Sequence, residues 1–159
     1  MNSIIYESNT GFTKQYAMML QEKLHIPAYE RKAKHAFKEP IIYMGWTFAG
    51  KIVGLRAARK KYKIFCVIGV GMGDPTEDYR VEIQKANQIE EPFFYLQGGL
   101  APQKLKGIKK WIINMVGKMT IKENKPGNER VIQLFQEGGS YVDEKALLPI
   151  LSFINEQDR

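Results

Sequence analysis

Cysteine is nearly missing from this 159-residue chain: Cys66 stands alone, which excludes a disulfide framework and any multi-cysteine metal site. It lies within Ile64-Phe65-Cys66-Val67-Ile68, so it reads as a buried structural thiol rather than a reactive one. Histidine is almost as scarce. His25 and His35 both fall away from the ends of the expected strands, and neither is assigned a role. No apolar run approaches the ~20 residues of a membrane span. The first residues hold no basic-then-apolar leader, so a cytoplasmic protein is expected. Internal repeats and low-complexity tracts are also lacking, and the length fits a single domain over residues 1–159.

Negative charge is sparse in two places. Residues 51–63 carry six basic side chains (Lys51, Arg56, Arg59, Lys60, Lys61, Lys63) and no acid. Residues 104–125 carry seven lysines against the single acid Glu123. Within a net charge of +7, such clustering points to an anionic partner: a small carboxylate-bearing molecule, a membrane surface, an acidic protein or nucleic acid. Nucleic acid is set aside, because aromatics do not interleave with the basic residues on one sheet face.

What the chain does have is alternation. Residues 3–7, 26–30, 40–45, 62–70 and 92–97 read as strands. Residues 12–24, 51–62, 76–87, 103–119 and 143–155 read as helices, the last with Asp143 as cap and a restart near Leu148 forced by Pro149. Residues 32–39 read as a polar linker and 120–141 as an irregular excursion. Strands alternating with helices give an α/β fold with a parallel sheet covered on both faces. Ligands in such sheets bind outside the carboxyl ends of the strands.

Three loops leave strand ends there. The first, Ser8 to Thr13, offers the hydroxyls of Ser8, Thr10 and Thr13, a close backbone approach at Gly11, and the unpaired N–H groups of a new helix. Those features suit a phosphate monoester. The Gly-Lys-Ser/Thr ending of a nucleotide-triphosphate loop is not there. The second loop is Gly45-Trp46-Thr47-Phe48-Ala49-Gly50, and the third is Gly71-Met72-Gly73-Asp74-Pro75-Thr76.

Ser8-Asn9-Thr10-Gly11-Phe12-Thr13 resembles the Thr/Ser-x-Thr-Gly-x-Thr phosphate loop of flavodoxins at each defining position. Gly71-Met72-Gly73-Asp74, followed by Tyr79, is similar to the second flavin loop of that family. The likeness spans residues 3–97. It implies a flavodoxin-like three-layer sandwich with a five-stranded parallel sheet of order 2-1-3-4-5 and an extended C-terminal helical region. It also implies bound FMN, with the phosphate on residues 8–13 and the ring between the loops Trp46-Thr47-Phe48-Ala49-Gly50 and Gly71-Met72-Gly73-Asp74. Trp46 and Tyr79 would then lie on the two ring faces.

Flavodoxins are acidic, whereas this chain is basic, which sets it apart from an ordinary carrier. Residues 98–155, with Gly98-Gly99-Leu100, a lysine-rich helix, Trp111, Ile112-Ile113-Asn114-Met115-Val116 and Lys118-Met119, are similar to the flavodoxin-like, menaquinone-dependent protoporphyrinogen dehydrogenases. That second resemblance implies an FMN-dependent oxidoreductase of haem biosynthesis. It would oxidise a protoporphyrinogen-type or other anionic substrate and pass electrons to a quinone. The 103–119 helix would make peripheral contact with the inner face of the cell membrane. With the flavin carrying the chemistry, no catalytic side chain and no metal ligand is expected. The first rival expectation is a one-electron FMN carrier; the second, a non-enzymatic receiver-like or FMN-sensing module, is disfavoured because only Glu7 and Asp74 supply acids at the strand ends.

Overall fold

The computed structural model describes residues 1–33, 35–107, 110, 114, 115, 117, 118 and 129–157. It is an α/β structure built on a mostly parallel sheet. β1 (Ile4–Glu7), β2 (Ala28–Glu30), β3 (Ile41–Phe48), β5 (Ile64–Gly71) and β6 (Phe93–Gln97) run in the order β2-β1-β3-β5-β6. A sixth strand, β4 (Lys51–Ile52), pairs antiparallel with β3. The expectation of five strands is corrected by this hairpin, which also shifts the numbering of the order. A separate antiparallel pair joins β7 (Gly99–Leu100) to β8 (Gly139–Ser140).

Alternation of side chains explains the layers. Along β1, β3 and β5, Ile4, Tyr6, Ile42, Met44, Cys66 and Ile68 point to one face. There they meet Tyr16 and Leu20 of α1 (Phe12–Leu24) and Ile150 and Ile154 of α5 (Leu148–Gln157). Ile5, Ile41, Tyr43, Val67, Phe93 and Tyr95 point to the other face. They bury Leu55 and Ala58 of α2 (Leu55–Lys61) and Ile83 of α3 (Glu77–Ala86). Cys66 sits in the first core, fully buried, and burial pushes its thiol up to about 12.

The structure departs from the sequence reading at four places. β3 continues through Gly45-Trp46-Thr47-Phe48, so the second loop is the tip of a hairpin rather than a strand-to-helix turn. Consequently the helix expected from residue 51 starts at Leu55. The helix expected from Gln103 starts later: Pro102–Lys104 form a 3-10 turn, Leu105 and Lys106 are not helical, and the described residues from Gly107 to Lys118 are. Trp111, Ile112, Ile113, Val116 and Met119 lie outside the described residues. The expected excursion contains α4 (Glu129–Glu137) and β8; residues 119–128 lie outside the described part.

Asp143 does cap: its side chain accepts from the Lys145 N–H at 2.9 Å, starting a 3-10 turn that becomes α5 at Leu148. Among the described residues no helix is long and apolar enough to cross a membrane.

Candidate functional site

The register of the sheet builds the site. Glu7 pairs with Gly45, Gly45 with Gly69, and Gly69 with Tyr95. These four residues form one row across the sheet. The chain just past that row, at residues 8–13, 46–50, 70–73 and 97–100, therefore gathers along one edge. Between them lies a cavity of about 380 Å3.

Of the residues picked out from the sequence, Ser8, Asn9, Thr10, Phe12, Thr13, Trp46, Thr47, Phe48, Ala49, Gly50, Gly71, Met72, Gly73 and Tyr79 line this cavity. Gly11 and Asp74 do not. Gly11 shapes the turn instead: it is left-handed at φ +105°, and its N–H donates to Ser8 Oγ at 3.2 Å. Asp74 is exposed and accepts from Gln97 Nε2 at 3.0 Å.

At one end of the cavity, α1 begins without a side-chain cap and without an acid in its first turn. Its N–H groups and the hydroxyls of half-buried Ser8 and Thr10 and buried Thr13 make a donor-rich corner. Glu7, the residue just before it, is neutralised by Arg31, whose Nε donates to Glu7 Oε2. The rest of the wall is mostly aromatic and aliphatic. Trp46 and Phe48, two apart on β3, share a side of the strand with ring centroids 5.6 Å apart.

The third loop is fixed by its neighbours. Tyr95 Oη donates to the Gly73 carbonyl at 3.1 Å, Gln97 Nε2 to the Met72 carbonyl at 3.1 Å, and the Gly98 N–H to the Gly71 carbonyl at 2.7 Å. A Cβ on Gly71 would lie 2.0 Å from Thr47 Oγ1 and 2.7 Å from Tyr95 Oη, so packing alone demands glycine there. Tyr79 lies over Gly73 and meets Tyr95 edge to face, with centroids 5.1 Å apart at 77°. Burial raises the phenol of Tyr79, against an opposing hydrogen bond with Tyr95; burial also raises Tyr95. Neither is suited to move a proton near neutral pH.

Val70, Gly98, Gly99, Leu100, Leu105 and Phe135 also line the cavity and were not picked out from the sequence. Gly98-Gly99 carried a signal, being a strand end like the other three. Phe135 carried one that the reading of 120–141 as irregular passed over: Val131, Ile132, Leu134 and Phe135 recur at helical spacing. Leu100, Leu105 and Leu134 form a small core of their own, with Met72 and Phe135 packed against it.

Comparison with family models, with curated proteins and with solved structures returns no match. The chain's own geometry therefore carries the functional argument. Among the described residues no cluster of His, Cys, Asp or Glu could hold a metal ion. A phosphorylated ligand with a flat apolar body fits the donor set: hydroxyls and helix N–H groups at one end, aromatic and aliphatic walls at the other.

Proposed function

We propose that the chain is a flavodoxin-like FMN-binding oxidoreductase. One observation carries this reading: strand-end segments far apart in sequence converge on a single cavity that is donor-rich at one end and apolar elsewhere. Ser8, Thr10, Thr13 and the first N–H groups of α1 would hold the phosphate. Trp46, Tyr79 and the tips Thr47–Gly50 and Gly71–Gly73 would enclose the isoalloxazine, excluding water from it. When bound, FMN supplies the electron and hydride chemistry, so the side chains bind, orient and tune. Aromatic side chains against the ring would favour its electron-poor oxidised form over a reduced, negatively charged one.

Anionic substrates of the protoporphyrinogen type, with a quinone as electron acceptor, suit the exposed lysines 104 and 106, which flank the cavity's Leu105 in the chain, and the exposed lysines 110 and 118 that follow. Half-exposed Met115 among them would suit peripheral contact with an anionic membrane.

Titrating the purified chain with FMN tests the reading. We expect saturable binding with loss of flavin fluorescence, weakened about tenfold by Trp46→Ala, the scale set by one aromatic contact plus its buried area. A titration with no spectral change would sink it.

A further inference from the structure

We infer that Lys104 reads the charge of the ligand, making the cavity selective for the phosphorylated flavin over the uncharged one. The inference rests on the FMN reading and names a residue outside the loops that define it.

Lys104 ends the 3-10 turn that follows β7. Its ammonium group reaches back to the start of α1: a Cβ built on Gly11 would lie 4.0 Å from Lys104 Nζ. The backbone that carries it is fixed. The Lys104 N–H donates to the Ala101 carbonyl at 3.0 Å, and Leu105 is buried in the cavity wall. The same short segment thus contributes an apolar wall, through Leu105, and a cation beside Gly11, the residue that opens α1.

Alone, this placement is electrostatically adverse. A helix start carries partial positive charge and favours acids. α3 obeys that rule, with Thr76 accepting from the Tyr79 N–H and Glu77 and Asp78 in its first turn. α1 breaks it: no acid stands in its first turn, exposed Lys14 does, and Lys104 is added from a distant segment. Lys104 is exposed and could extend into water instead. A dianionic phosphate among the hydroxyls of Ser8, Thr10 and Thr13 would convert the repulsion between Lys104 and the helix dipole into shared attraction. An uncharged riboflavin would occupy the apolar walls and gain nothing from Lys104.

Affinities of wild type, Lys104→Gln and Lys104→Arg for FMN and for riboflavin test this, with thermal melts of each protein without ligand. Wild type is expected to bind FMN at least tenfold more tightly than riboflavin. Lys104→Gln should lose about tenfold for FMN and nothing for riboflavin, with an unchanged melt, as fits one charge-assisted contact at an exposed site. Lys104→Arg should keep most of the preference. Equal wild-type affinity for the two flavins, or a Lys104→Gln loss shared by both or by neither, would overturn the inference and leave the flavin reading intact. Failure of wild type to bind either flavin would overturn both.

Discussion

Two stretches of clustered positive charge, residues 51–63 and 104–125, read alike in the sequence, and the residues that open them, Lys51 and Lys104, meet opposite ends of helices in the fold. The first meets the negative end of a helix. Arg59 forks onto Glu91, Nε to Oε1 at 2.9 Å and Nη2 to Oε2 at 2.6 Å, and donates to the carbonyls of Asn87 and Gln88, each at 3.1 Å. Lys51 Nζ donates to the Ala86 carbonyl. Ala86 ends α3, Asn87 is its C-cap and Gln88 follows, so these carbonyls lie at the negative end of the helix, where a cation is favourable without any ligand. The second stretch places Lys104 at the positive end of α1, where a cation is favourable only once an anion arrives. Clustered charge thus reports a partner only where the fold has not already supplied one.

Breaking the first arrangement has the largest expected effect on stability. Arg59→Ala removes a two-point ion pair and two carbonyl contacts at a half-buried site, and should cost about 2 kcal/mol. The urea midpoint would fall, with flavin preference unchanged. A normal midpoint together with lost FMN binding would put residue 59 in the class of Lys104 and dissolve the contrast.

Acid titration sharpens the same point. The hydrogen bond from Arg59 holds the Glu91 carboxyl below its usual range, against the opposing effect of burial. A carboxyl whose folded pKa is depressed contributes stability above its unfolded value, ~4.3, and loses it as pH falls through the folded one. The stability gap between wild type and Arg59→Ala should therefore be full at neutral pH and shrink below about pH 4. A gap that stays constant under acid would mean that Arg59 acts through packing alone.

Legibility from sequence followed the same division between local and distant causes. The strands were readable because Ile41-Ile42-Tyr43-Met44 and Phe65-Cys66-Val67-Ile68 are apolar runs whatever surrounds them. The first and third loops kept their positions, since Gly11 and Thr76 act on their own neighbours. Gly45 misled, because it looks like a turn. It is a strand residue whose missing side chain makes room for the returning chain: a Cβ there would lie 2.5 Å from Ile52 Cγ2 and 2.8 Å from the Val53 carbonyl. No local pattern records that crowding. The wall supplied by Leu100, Leu105 and Phe135 was hidden for a similar reason. Its cluster joins the segment after β6 to α4; the apolar spacing of Ile132, Leu134 and Phe135 announces a buried face, but nothing local says that Leu100 and Leu105 cover it.

The smallest expected effect tests whether Lys51 belongs with Arg59. Its amine is exposed and shares the end of α3 with a stronger cation, so Lys51→Ala should cost only about 0.5 kcal/mol. The hairpin it flanks has an independent tie. Asn87 Oδ1 accepts from the Ile52 N–H, and Asn87 Nδ2 donates to the Gly50 carbonyl, each at 2.8 Å. The cavity lip at Thr47–Gly50 should keep its place in the variant, and FMN affinity should hold within about twofold, as expected of a surface charge that contacts no ligand. A tenfold loss of FMN affinity at unchanged stability would instead make Lys51 a ligand contact like Lys104. The first basic stretch would then face the partner as well as α3.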